Sequence, residues 1–455
     1  MKVLKKLTTA AVLAAVCTST LAGCGSSSTV NGGADTTAAK TEQTEKVKEE
    51  SGVEETAGGP QYSGSLSYWS SWNSTEPQAK VIEAAAAEFM KLYPEVKIDL
   101  TFNGRDNRKL VNPALQGGQQ IDMYDANADN IQAYWMDTII PLDDYYEQTY
   151  PTTNGEKYID VIMPSMVSLA RQIGDDKLYY VPYCPQAFMW FCNKTIFEDA
   201  GITKVPTTWE EFTEVCQTLK DAGYTPITTD DKYAENMFGY YLSRLKGNDF
   251  VEKLAYDTTG ELWDDPAVLE TAKVFEDMVA KGYFASNVGA NTLPLGQQEM
   301  VLEEKIAMYL NGTWLPNEVK DTAGSDFNWG EFAFTTVPGG VDGLEAGAYG
   351  SYGIAINNQC QNPDTAFAFA VYLTTGEWDQ KMSEEAAAIP MSNDAQWPEA
   401  LKDAKTVFDQ LTYRYPSQTA IRMNSDTQPI IETACIKLYA GQITAEQFIS
   451  ECRPK

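Results

Sequence analysis

From residue 62 onward the apolar and polar positions switch repeatedly between two periods. The stretch "SLSYWSSW" (65–72) reads as a strand running into a polar loop, and "EPQAKVIEAAAAEFMKLYP" (76–94) places its apolar side chains at helical spacing and predicts a helix that stops before Pro94. "VKIDLTF" (96–102) alternates with period two and predicts a strand. "RKLVNPALQGG" (108–118) reads as a helical segment interrupted by Pro113, and "IDMYDAN" (121–127) as a third short strand that ends in Asp125, Ala126 and Asn127. Strand, helix, strand, helix, strand predicts an open parallel sheet joined by right-handed crossovers. Ligands of such sheets lie beyond the carboxyl ends of the strands, so the loops 70–76, 103–106 and 125–129 become candidate site segments.

Farther along, "LYYVPY" (178–183) and "AFMWFCN" (187–193) predict two strands bracketing Pro185. Thr207 followed by Glu210 predicts a capping box, after which Trp209, Phe212, Cys216 and Leu219 form a helical apolar stripe and are expected in the core. In "KIAMYLNGTWLPNEVK" (305–320) the run from Ile306 to Leu310 has the length of a buried strand. Asn311, Gly312 and Thr313 would end it, with Thr313 capping a helix that starts near Trp314.

Residues 1–23 carry three lysines, then a short apolar stretch, then small residues, which is the layout of an export signal and too short for a membrane anchor. Leu21-Ala22-Gly23-Cys24 resembles a bacterial lipobox, which implies a diacylglyceryl thioether on Cys24 and a membrane-tethered N-terminus. Residues 24–60 are polar and small, too poor in apolar surface to offset ordering, and predict a lipidated disordered tether. The remaining body of about 390 residues exceeds a single core and predicts two domains. A net charge of −30 leaves no basic face for nucleic acid and disfavours anionic lipid. After Pro60 no apolar run approaches ~18 residues.

Beyond Cys17 in the signal and Cys24, six cysteines remain: Cys184, Cys192, Cys216, Cys360, Cys435 and Cys452. None forms a Cys-x-x-Cys pair, which argues against a zinc site or a thioredoxin-like motif; Cys435 with Cys452 can pair or stay free. The chain has no histidine, which removes Ser-His-Asp and Cys-His catalysis and His-ligated metals together. Any catalysis would run on carboxylates.

A "K-x-Y-x-x-P-Y" strand, an "N-K-x-x-F-x-x-A-G-I" segment, a "P-x-T-W-E-E-F" helix start and a "G-x-T-P-I" strand follow in order, then "KIAMYLNGTW", "FAFTTVPGG", "YGSYGIAIN" and "NPDTAFAFAVYLTTGEWDQ". This series resembles the extracellular solute-binding proteins of carbohydrate ABC transporters, the maltose-binding-protein-like group, from Leu66 to the C-terminus. The resemblance implies an α/β, two-lobed periplasmic-binding-protein-like fold with hinge-connected lobes and a ligand cleft between them. It places 61–183 and about 353–402 in the N-terminal lobe, and 184–352 and about 403–455 in the C-terminal lobe. It implies a monomeric, non-enzymatic receptor without cofactor or metal. Such a receptor is lipid-anchored at the outer face of the cytoplasmic membrane, and it captures a sugar and delivers it to permease subunits by lobe closure.

Sugars present C–H faces that pack on aromatic rings and a rim of hydroxyls that needs hydrogen-bond partners. Among 10 Trp, 25 Tyr and 17 Phe, several lie in polar loops: Trp72 beside Asn73 and Glu76, Tyr183 after Pro182, Trp314 after Gly312 and Thr313, and Tyr349 beside Gly350. For the polar rim the candidates are Asp125 and Asn127 at the third strand's end, with Glu76, Gln186 and Arg414. Asp125 leads because its two oxygens can accept from adjacent hydroxyls; the competing role is loop or helix capping. Arg414, between two tyrosines, can equally stack or pair. Trp263, Trp329 and Trp378 read as packing residues. Three other readings stay open: a secreted glycosidase using two carboxylates, the same fold with an aromatic cage for a quaternary amine, and an adhesion or structural lipoprotein.

Overall fold

A computed structural model describes residues 61–302, 305–324 and 326–454. The signal 1–23, the lipobox cysteine Cys24 and the tether 24–60 lie outside the described residues.

The first half follows the hydrophobic pattern closely. Strand β1 (Gly64–Ser70) pairs in parallel with β2 (Val96–Phe102) and with β3 (Met123–Asn127). Helix α1 (Pro77–Leu92) has proline in its first turn, where the missing N–H costs nothing. It buries Ala79, Val81, Ile82, Ala85, Ala86 and Phe89, and its alanines let the helices Pro363–Thr374 and Gly376–Ala386 approach closely. Helix α2 (Asn107–Gln116) runs through Pro113 rather than being interrupted there; the loss is confined to one hydrogen bond. Helix α3 (Ala128–Tyr134) follows β3 directly.

The parallel expectation holds for these three strands, but the sheet as a whole is mixed. The two stretches expected as separate strands around Pro185 are one long strand, β4 (Tyr180–Asn193). Its pairing with β9 (Tyr349–Ile356) steps from Tyr183 opposite Tyr352 to Gln186 opposite Gly350. The bulge holds Cys184 at φ +45° and sets Pro185, which has no N–H to give, outside the ladder. The amino end of β4 pairs antiparallel with β9, which pairs antiparallel with β3. Its carboxyl end pairs antiparallel with β6 (Ile306–Gly312) and β7 (Trp329–Phe332), and β5 (Thr225–Thr228) lies parallel to β6. The sheet order is therefore β2-β1-β3-β9-β4-β6-β5, with β7 also on β4, so β4 and β9 link its two ends. A two-stranded parallel pair, β8 (Ala346–Gly347) with β10 (Tyr413–Arg414), brings the C-terminal segment beside the start of β9.

Trp209, Phe212, Cys216 and Leu219 are buried as the stripe predicts. The cap is shifted by one residue: Thr208 and Glu211 form the box on the helix Trp209–Asp221, and Thr207 donates to the same Glu211 carboxylate. Thr313 does not cap; its hydroxyl accepts from Ala187 N–H at 3.3 Å, and the short helix Leu315–Glu318 has Pro316 in its first turn and no side-chain cap. All six described cysteines are thiols, Cys435 and Cys452 included.

Candidate functional site

A cavity of about 490 Å³ opens where the carboxyl end of β3, the bulge of β4, the start of β9 and the segment after β10 converge. Asn127 sits at its edge, and its side-chain oxygen also accepts from Asp129 N–H at 3.0 Å to start α3. That cap projects Asp129, Asn130 and Tyr134 from the first turns of α3 onto the cavity wall. The β4 bulge turns Gln186 into the cavity, opposite Gly350 and next to Tyr349. The remaining wall comes from Phe188, Tyr415, Ser417, Gln418 and Arg422.

Trp314 is half-buried on this wall. Its ring lies over Gly312, where any Cβ would overlap it. Phe188 and Tyr233 flank the ring at centroid distances of 6.0 and 6.5 Å, and its Nε1–H donates to Tyr233 Oη at 3.2 Å. Arg414 is buried at the cavity floor; Nε donates to the Tyr349 carbonyl at 2.8 Å and Nη2 to Asp129 at 2.5 Å.

Asn127, Gln186, Trp314, Tyr349 and Arg414 thus meet around one cavity, and the other sequence candidates do not line it. Asp125 is fully buried and its oxygens are engaged by Tyr68 Oη at 2.6 Å and by Ser71 N–H and Oγ at 2.7 and 2.5 Å. Burial pushes its carboxyl upward while these donors pull the other way. It ties the β1 loop to β3 instead of accepting from a ligand. Trp72 is 4% exposed, stacked on Tyr352 at 4.5 Å, covered by the Arg105 guanidinium at 4.5 Å, and donates to Tyr183 Oη at 2.8 Å. It lines a recess of about 40 Å³ shared with Gln186 and Trp314. Tyr183 is buried as the acceptor of that bond. Glu76 pairs with Arg105 at 2.7 Å and accepts from Asn73 N–H. The loops 70–76 and 103–106 therefore seal one corner of the fold, because their polar groups satisfy each other.

The sequence reading included Asp129 in a candidate loop but missed Arg108, the later α3 positions and the 415–423 segment. The spacing of Asn130, Ala133 and Tyr134, one helical face after a strand end, was a usable signal. The segment 415–423 has no periodicity, and three of its non-glycine residues, Ser417, Gln418 and Ala420, stand at φ +45°, +66° and +65°. Such strain, about 1–3 kcal/mol per residue, concentrates at ligand-binding segments and is invisible in a sequence. Among the described residues no group of three or more His, Cys, Asp or Glu could hold a metal ion, and no helix is long and apolar enough to cross a membrane.

The chain is 26% identical over 225 residues to the diacetylchitobiose binding protein of Streptomyces coelicolor, covering 48% of this chain and 46% of that protein. It spans about half the length of the curated relatives it matches. In three dimensions it is similar to a chitin oligosaccharide binding protein (22% identity, TM-score 0.61, 86% of this chain and 97% of the other). It is also similar to a probable secreted solute-binding lipoprotein from Streptomyces coelicolor (14% identity, TM-score 0.69, 85% and 97%). These likenesses give the fold, a two-lobed α/β architecture. The family model for bacterial extracellular solute-binding proteins matches residues 71–380, and the chain belongs to that family.

Proposed function

We propose that the protein captures a sugar or oligosaccharide outside the membrane and hands it, unchanged, to the permease of an ABC importer. The observation that carries this reading is Trp314: a half-buried indole held flat on Gly312 among hydrogen-bonding side chains of Asn127, Asn130, Gln186 and Gln418. A pyranose face can stack on the ring while its hydroxyls reach the amides. The cavity volume falls in the range of about 300–1,000 Å³ typical of small-ligand sites. The relatives named for diacetylchitobiose and chitin oligosaccharide support the same ligand class.

Release without chemistry fits the lining. Carboxylate-based glycoside hydrolysis needs two acids flanking the bond, whereas the described cavity lining carries one, Asp129, already paired with Arg414. A quaternary amine is disfavoured by the guanidinium groups of Arg108, Arg414 and Arg422 on the same wall. Closure takes place about the paired strands β4 and β9, with 61–183 and about 353–402 moving against 184–352 and about 403–455. Ligand drives it only through contacts that are better in the closed form. The receptor acts as a monomer tethered by lipid on Cys24.

A thermal-shift screen across neutral and acidic sugars, amines and peptides, followed by product analysis of the sugars that bind, tests this reading. It expects a raised melting temperature with a saccharide and the saccharide recovered intact. Stabilisation by amines or peptides alone, or hydrolysis abolished by replacing one carboxylate, overturns it.

A further inference from the structure

The cavity's charge is opposite to that of the chain around it. The protein carries 64 Asp and Glu against 34 Lys and Arg, yet the ionisable groups lining the cavity, tyrosines aside, are Arg108, Arg414, Arg422 and a single acid, Asp129. Asp129 is consumed by Arg414. Arg422 pairs with Glu235 at 2.6 Å, lies 3.9 Å from Glu432 and gives Nη2 to the Lys232 carbonyl, so Nε and Nη2 are engaged. Burial pushes Glu235 up to about 7, against the pull of Arg422. Arg108 is exposed, and its side chain has no ion pair or hydrogen bond among the described residues. Nη1 of Arg414 and of Arg422 likewise has no protein acceptor among them.

Guanidinium groups only donate. The lining's neutral acceptors, the amide oxygens of Asn127, Asn130, Gln186 and Gln418, can serve a sugar's hydroxyl protons, but its one carboxylate, Asp129, is spent on Arg414, so its charged groups leave a surplus of donors. A surplus of charged donors matches a group that accepts without donating, and a carboxylate or sulfate takes two guanidinium N–H bonds at once. Long-range attraction cannot supply this in a chain of net charge −30; only contacts inside the screening distance of about 8–10 Å can.

Resting on the saccharide reading above, we propose that the ligand of this cavity is an acidic oligosaccharide, one bearing a carboxylate or sulfate group that Arg108 reads together with the free nitrogens of Arg414 and Arg422.

The test is calorimetric titration with matched pairs: galactobiose against digalacturonate, cellobiose against cellobiouronate, and an unsulfated against a sulfated disaccharide. At least one acidic member should bind about tenfold or more tightly than its neutral twin. The advantage should shrink at high salt and be largely lost in Arg108→Gln, whose melting temperature should match the parent because Arg108 has no internal partner. The uronate and sulfate arms tell the two anions apart. Equal or tighter binding of the neutral twins overturns the acidic ligand while leaving the saccharide reading intact. Binding of no saccharide, neutral or acidic, overturns both.

Discussion

Arg414 reaches across the cavity floor to Asp129 at 2.5 Å, joining β10 to the first turn of α3. The Arg414 side chain is 7% exposed and that of Asp129 33%, so removing one partner strands a charge that water reaches poorly. Arg414→Ala should lower ligand-free stability by about 2 kcal/mol, and Asp129→Asn by less, because the amide still accepts. Denaturant midpoints for both variants and the double variant measure the coupling. Additive losses would show that the two side chains do not act as a pair.

Trp72 and Tyr183 illustrate the opposite case, sequence candidates that hold the fold. Tyr183→Phe leaves Trp72 Nε1–H without its buried acceptor and should cost about 1 kcal/mol while leaving ligand affinity unchanged. Affinity falling with stability intact would return Tyr183 to the site.

Gly312 is the residue on which the indole rests. A methyl group there has no room beneath the Trp314 ring. Gly312→Ala should therefore displace the ring and weaken saccharide binding nearly as much as loss of the indole, by about 1–3 kcal/mol. Tryptophan fluorescence and calorimetry on the same variant report both effects, and unchanged affinity alongside a shifted ring would separate the two.

Three buried acids make stability depend on pH in the less usual direction. Burial pushes Glu331 up to about 8, and Glu235 and Asp379 up to about 7, from ordinary values of 4.5 and 3.8. Each folded carboxyl keeps a proton that the unfolded chain has released. Their stabilising contribution is complete below the unfolded values and is lost as pH rises through the folded ones. The melting temperature should fall between about pH 5 and pH 8.5. Glu331, one of whose oxygens is buried without a partner, should account for the upper part of that fall. Glu331→Gln should flatten the curve above about pH 7; an unchanged slope would mean Glu331 is ionised throughout.

The sequence was readable where one local rule decided the outcome. Alternation and helical spacing gave β1, α1, β2, β3 and the Trp209 stripe almost to the residue. It was unreadable where distant segments decide. Nothing local tells that Pro185 sits in a bulge rather than between two strands, since the partner that carries the ladder past it is β9, over 160 residues on. Asp125 carries the chemistry of a sugar ligand, but Tyr68 and Ser71 reach it first. The strained segment 415–423 contributes several wall residues and has no pattern at all. Trp314 was legible because an apolar strand ending in Asn311, Gly312 and Thr313 can only emerge at a sheet end.

Titrating the tightest-binding saccharide into the parent protein and Trp314→Ala is the most direct measurement of the central claim. The indole is half-buried, so its loss should lower ligand-free stability by less than the about 3–5 kcal/mol of a fully buried tryptophan. The account predicts one saccharide per chain and an affinity reduced by about 1–3 kcal/mol in the variant. A folded Trp314→Ala protein that binds the same saccharide as tightly as the parent would contradict it.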